Sequence, residues 1–167
     1  MAISNTSSQK MMTENRSTFL FVLIVSLILL SAWALPVKAE DTQTSAPVKK
    51  HKLVYQLNKA DPDTIRSVLF SVTEMKEKYA DDIDIVVVAF GPGIHLLAQR
   101  PRRAIDPRRP QQAEYLSMTG VEFHACGNTL KSLHWNEDDL LDFAEVVPIG
   151  ADDLMLLQEQ GYQYISW

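Results

Sequence analysis

The sequence predicts a three-layer α/β/α domain built on a mostly parallel sheet of about five strands. Three observations carry that expectation. Short runs rich in β-branched residues alternate with helical periodicities from residue 52 to residue 167. The connections between successive strands are too long for hairpins, so crossovers must join them. Residues 86–90 (V-V-V-A-F) are continuously apolar, as a strand covered on both faces should be.

The region ahead of this domain reads as a targeting segment. Lys10 and Arg16 supply a positive start, and residues 19–35 are apolar except for Ser26 and Ser31. Val37-Lys38-Ala39 then offers the small residues that a signal peptidase accepts, so residues 1–39 are expected to be a signal peptide. The apolar run of 17 residues also allows an uncleaved anchor. Export to the periplasm is therefore expected, with retention at the inner membrane through residues 19–35 as the alternative. Residues 40–51 are polar and read as a flexible linker, leaving 52–167 as the folded domain.

Composition narrows the function classes. From Glu40 onward, 13 Lys and Arg face 20 Asp and Glu, a formal charge of −7. Such a domain is not built to wrap nucleic acid. One Cys and four scattered His (His51, His95, His124, His134) offer no paired ligand spacing, so no metal is expected. No cofactor motif is present either.

Along the domain, residues 52–57 (K-L-V-Y-Q-L) form a first strand. Asp61-Pro62-Asp63 then opens a helix, with Asp61 as cap and Pro62 at its first position. Ile65, Val68, Leu69, Val72, Met75 and Tyr79 recur at spacings of three and four, giving one apolar face over 61–80. Residues 83–90 are the second strand, broken by Gly91-Pro92-Gly93, and 94–99 a short helix. Residues 100–110 carry five Arg and three Pro and are read as irregular. A helix over 111–119 ends at Gly120, and 121–125 is the third strand. Asn128 is read as the cap of a short helix over 129–133, and Asn136 as the cap of another. Residues 144–149 form a fourth strand, 151–160 a helix closed by Gly161, and 162–167 a terminal strand.

The single cysteine, Cys126, stands where the third strand runs into a helix, in V-E-F-H-A-C-G-N-T-L. In open α/β sheets, ligand and catalytic groups gather beyond the carboxyl ends of strands. Gly127 beside Cys126 would leave the thiol accessible, and amides beyond Asn128 would favour a thiolate. The alternative is a small buried hydrophobe, a common fate of free cysteine. His124 precedes Cys126 by two, so both side chains should share a face of the strand. It either tunes the thiol or is a hydrogen-bonded histidine packed under a helix. His95, after the Gly-Pro-Gly turn, also stands at a strand's carboxyl end and is a candidate for the same pocket. Gly91 and Gly93 either offer amides to an anion or simply make a tight turn. Arg100, Arg102, Arg103, Arg108 and Arg109 either hold an anionic sulfur compound, phospholipid headgroups or an acidic partner, or form a solvated loop. His134 is placed at the surface.

The ordered motifs L-V-Y-Q-L-N, A-F-G-P-G followed by I-H-L-L, G-V-E-F-H-A-C-G-N-T-L, D-L-L-D-F-A-E-V-V-P-I-G and L-Q-E-Q-G-Y-Q-Y-I resemble the DsrE/DsrF-like family over residues 52–167. The resemblance implies a flavodoxin- or Rossmann-like α/β/α fold assembled as trimers or hexamers. It also implies sulfur-relay chemistry with a persulfide on the cysteine after a central strand, here Cys126. The resulting expectation is an exported, sulfurtransferase-like carrier with Cys126 and His124 as reactive pair. Gly91, Gly93, His95, Gly127 and Asn128 are its binding residues, and an unidentified protein or small sulfur compound is donor or acceptor. The alternatives are a non-catalytic oligomeric binding or regulatory module with a structural Cys126, and a redox-sensing protein linked through an intermolecular disulfide.

Overall fold

A computed structural model describes residues 51–167; the expected signal peptide and nearly all of the linker lie outside the described residues. Five strands run β1 (His51–Leu57), β2 (Ile83–Ala89), β3 (Val121–Cys126), β4 (Ala144–Val147) and β5 (Gln163–Ser166). The α-helices among the described residues are α1 (Pro62–Tyr79), α2 (Arg108–Met118), α3 (Gly127–Leu133) and α4 (Gly150–Glu159). The sheet has the order β4-β3-β2-β1-β5, and every pairing is parallel. The expected three-layer fold is therefore present, with a sheet that is wholly parallel.

The chain walks from β1 to β4 in one direction and then returns to place β5 beside β1. Crossovers of one hand put helices on one face while the walk continues, and on the other face when it reverses. The core follows that rule. Leu53, Tyr55, Leu57, Ile85, Val87, Phe123 and Ala125 face one way and pack with Ile65, Val68, Leu69 and Val72 of α1, Leu116 of α2 and Leu130 of α3. On the opposite face the apolar cluster is small, Val54, Val86 and Val88 packed under Leu154 and Leu157 of α4, with Phe90 and Tyr162 at its margin. No helix among the described residues is long and apolar enough to cross a membrane.

Helix α1 starts as expected: the Asp61 carboxylate accepts from the Thr64 amide at 2.9 Å, and Pro62 occupies the first turn. Several boundaries differ from the sequence reading, for local reasons. Phe90 lies outside β2, and the Gly-Pro-Gly turn, instead of merely breaking the strand, opens a 3-10 helix over Gly91–Leu97. Arg108, Arg109 and Pro110 belong to α2; a proline in the first turn costs no hydrogen bond because that N–H is unpaired anyway. Asn136 does cap the short turn Glu137–Asp139, in a reciprocal arrangement with Asp139.

The expected cap at Asn128 is not there. Helix α3 begins directly at Gly127, with Cys126 as the residue ahead of it, and Asn128 is an exposed residue of the first turn. The chain turns early because Gly127 is pressed against β4's exit, where an added Cβ would stand 3.1 Å from the Val147 carbonyl oxygen and 3.2 Å from that of Pro148. Gly127 therefore serves close packing; the thiol beside it is not opened to solvent by it.

Candidate functional site

Two connections diverge at the carboxyl ends of β3 and β4. The one leaving β3 enters α3 on the crowded face, and the one leaving β4 enters α4 on the opposite face. Such a divergence between adjacent parallel strands opens the crevice where α/β proteins place their ligands. Cys126 ends β3 at that point, paired across the sheet with Val147 of β4.

The geometry around the sulfur favours a thiolate. The Gly150 amide, first residue of α4, donates to Cys126 Sγ at 3.2 Å. Burial pushes the thiol's pKa up, but the Gly150 amide outweighs it together with the amides of Thr129 and Asn128 and the Thr129 hydroxyl. The net effect is a lowered value. The thiol is also well covered, with the residue only 5% exposed. Gly150 allows the close approach: a Cβ there would lie 3.1 Å from Cys126 Cβ, 3.4 Å from Phe90 Cδ1 and 3.5 Å from the sulfur.

His124 shares the α4 face with Cys126, as the strand periodicity requires, yet its partners are carboxylates. Its Nδ1 lies 2.8 Å from Asp153 Oδ2 on α4. Because an ionised carboxylate only accepts, Nδ1 carries the hydrogen. Nε2 is buried without a hydrogen-bond partner and faces Glu122 at 3.4 Å and Glu145 at 4.0 Å.

His95 occupies the other side of the crevice. It is buried, its Nδ1 accepts from the Arg102 amide at 3.2 Å, and its ring stands edge-on to Trp135. Burial, followed by the charges of Arg103 and Arg102, lowers its pKa and keeps the ring neutral. With Gly91, Arg103, Asn128, Thr129 and Ser132 it lines a cavity of about 380 Å³. Arg103 brings a positive charge to it. Arg102 is turned to the Leu133 carbonyl, and Arg108 and Arg109 to Asp106, whose pKa falls to about 2 beside the Arg108 guanidinium.

The Gly-Pro-Gly turn has few amides to offer a ligand. Gly91 N donates to Thr129 Oγ1 at 3.0 Å and Gly93 N to the Phe90 carbonyl at 3.1 Å, while Pro92 has none. Gly93 is a packing glycine, since its Cβ would fall 2.1 Å from the Leu57 carbonyl oxygen. His134 is exposed and ends α3 in the left-handed conformation.

The structure thus brings Cys126, His124, Asn128, His95 and Gly91 around one strand edge, on two sides of the sheet's end. It adds Gly150, Thr129 and Asp153, which the sequence reading did not single out. A signal was present: P-I-G ahead of a helix with Asp152-Asp153 in its first turn marks a second helix start beyond a strand.

Residues 51–167 match the DsrE/DsrF-like family. The chain belongs to that family. The DsrE/DsrF-like domain has a fold of sulfur-relay type. Among solved structures it is similar to a protein of unknown function from Methanobacterium thermoautotrophicum, at 25% identity and a TM-score of 0.63, covering 70% of this chain and 99% of that one. It is also similar to the ychN protein from E. coli, at 13% identity and a TM-score of 0.60, with coverage of 70% and 99%. A protein of unknown function from Bacteroides thetaiotaomicron matches at 14% identity and a TM-score of 0.58, with coverage of 73% and 99%. No curated protein matches the sequence.

Proposed function

We propose that this protein is a sulfur carrier that holds sulfane sulfur as a persulfide on Cys126. The observation that carries the reading is the donor set around Sγ, led by the Gly150 amide at 3.2 Å, which lowers the thiol's pKa despite burial. The thiolate is the attacking species in sulfur chemistry. In the loading step Cys126 attacks the outer sulfur of a donor persulfide. The new S–S bond forms as the donor's S–S bond breaks, and the donor leaves as a thiolate. Unloading is the same exchange with an acceptor thiolate attacking the outer sulfur and Cys126 leaving, so no external oxidant is consumed. The same amides that stabilise the thiolate would stabilise Cys126 as leaving group. Family membership supports this chemistry class. Export by residues 1–39 and assembly as trimers or hexamers belong to the proposal.

The test is mass spectrometry of the protein after exposure to a persulfide donor. The expected result is a gain of one sulfur atom that a thiol reverses and that Cys126→Ser abolishes. An alkylatable Cys126 that takes up no sulfur sinks the reading. The burial of Cys126 favours a second one, a binding module in which the thiol is packing. Alkylation that requires denaturant would support it, and rapid alkylation of the native protein near neutral pH would exclude it.

A further inference from the structure

We propose that the His124–Asp153 pair is a positioning device for Cys126: it fixes the first turn of α4 over β3 so that the Gly150 amide stays aimed at the sulfur. The inference rests on the persulfide reading for its functional meaning, but its geometry stands apart from it. Apolar packing holds only the later turns of α4, through Leu154 and Leu157. Ala151 and Asp152 are exposed, and the buried Gly150 has no side chain to anchor. Two hydrogen bonds tie this first turn to the sheet, Gly150 N to Cys126 Sγ and His124 Nδ1–H to Asp153 Oδ2, and both reach β3.

The spacings fit a two-point clamp. Cys126 and His124 are two residues apart on a strand, roughly 6.6 Å along its axis. Gly150 and Asp153 are three residues apart on a helix, a rise of about 4.5 Å. One contact alone would let the helix pivot about it, whereas two fix its register and its distance from the strand. The His124 ring is itself constrained. Asp153 meets it from α4, Glu122 from its own strand and Glu145 from β4, and the residue is only 7% exposed. A buried imidazole with a bonded Nδ1 is a stiff strut.

A histidine that merely satisfies its own burial would leave the thiol unaffected when removed. The measurement is therefore the pH profile of Cys126 alkylation by iodoacetamide, taken on the full-length protein alongside thermal unfolding. Asp153→Ala and His124→Gln should each raise the pH midpoint by about one unit, a roughly tenfold smaller thiolate fraction at neutral pH. Asp153→Asn keeps an acceptor for Nδ1–H and should stay near wild type. The double variant should shift no further than the larger single one, because both remove the same clamp. An unchanged midpoint in Asp153→Ala, with or without lower thermal stability, overturns the proposal. Should His124→Gln fail to fold, the Asp153→Ala and Asp153→Asn comparison at the helix surface still decides. Alkylation reads the thiolate and sulfur uptake reads carriage. A protein that shows the shift but takes up no sulfur thus rejects the carrier and keeps the clamp, while uptake with unshifted midpoints does the reverse.

Discussion

At Cys126 two opposing effects meet, burial that disfavours the anion and donated hydrogen bonds that favour it, and the second prevails. The sign of the pH dependence follows. A group whose pKa is lower folded than unfolded binds fewer protons in the native state through the intervening window, so stability rises with pH across it. The thiolate's contribution should be complete above the ordinary thiol value of 9.0 and lost as pH falls through the folded value. Urea unfolding of wild type and Cys126→Ala at several pH values should show the difference between them grow in favour of wild type as pH rises; a constant difference would refute the lowered value. Gly150 gives a second prediction at this scale. Its missing Cβ is what lets the amide approach, and an alanine there would crowd Cys126 Cβ at 3.1 Å and Phe90 at 3.4 Å. Gly150→Ala should cost about 1–3 kcal/mol of stability and also raise the alkylation midpoint, because relief of the overlap moves the amide off the sulfur.

Elements that declare themselves locally were legible in the sequence, and elements fixed by distant neighbours were not. Helix α1 is specified by its own residues, with Asp61 and Pro62 at the start and an apolar row every third or fourth position. The start of α3 is specified by β4, whose exit carbonyls press on Gly127. Local capping preference pointed to Asn128 with the helix starting at 129, and the tertiary contact moved the start two residues earlier, to Gly127. A paired measurement checks this account. Asn128→Ala should change stability by no more than about 0.5 kcal/mol, as for an exposed surface residue, whereas loss of a true cap would cost about 1 kcal/mol. Gly93→Ala should be far worse, because its Cβ would fall 2.1 Å from the Leu57 carbonyl oxygen; backbone must shift, and the cost lies at or beyond the top of about 1–3 kcal/mol. The candidate site divides in the same way. Cys126 and His124 were visible as a strand-end pair, but Gly150 and Asp153 reach them through the return crossover of the sheet, which residue spacing does not encode.

The whole domain is lopsided, and that asymmetry bears on how a buried thiol can react. One face of the sheet is covered by three helices over a large continuous core, the other by α4 alone, in a small apolar cluster of five buried side chains of which two are the helix's own. Regions with few buried apolar contacts open first, at a free energy below that of global unfolding. Helix α4 and β5, an edge strand of four residues, are therefore expected to open as a unit while β1, β2, β3 and α1 stay folded. Native-state hydrogen exchange should show lower protection in α4 and β5 than in α1; equal protection throughout would refute the asymmetry. The consequence for Cys126 can be separated by pH. Leu157→Ala removes one of the two α4 side chains in the small core, at a cost of about 2–5 kcal/mol drawn mostly from that unit. Opening exposes the sulfur and at the same time withdraws the Gly150 amide that holds it as a thiolate. At alkaline pH, where the thiol ionises without help, the variant should alkylate faster than wild type because access limits the rate. Towards neutral pH the gain should shrink, because the opened thiol has recovered an ordinary pKa. A rate ratio independent of pH would mean that the amide does not leave when the sulfur becomes accessible, and that α4 shields Cys126 without activating it.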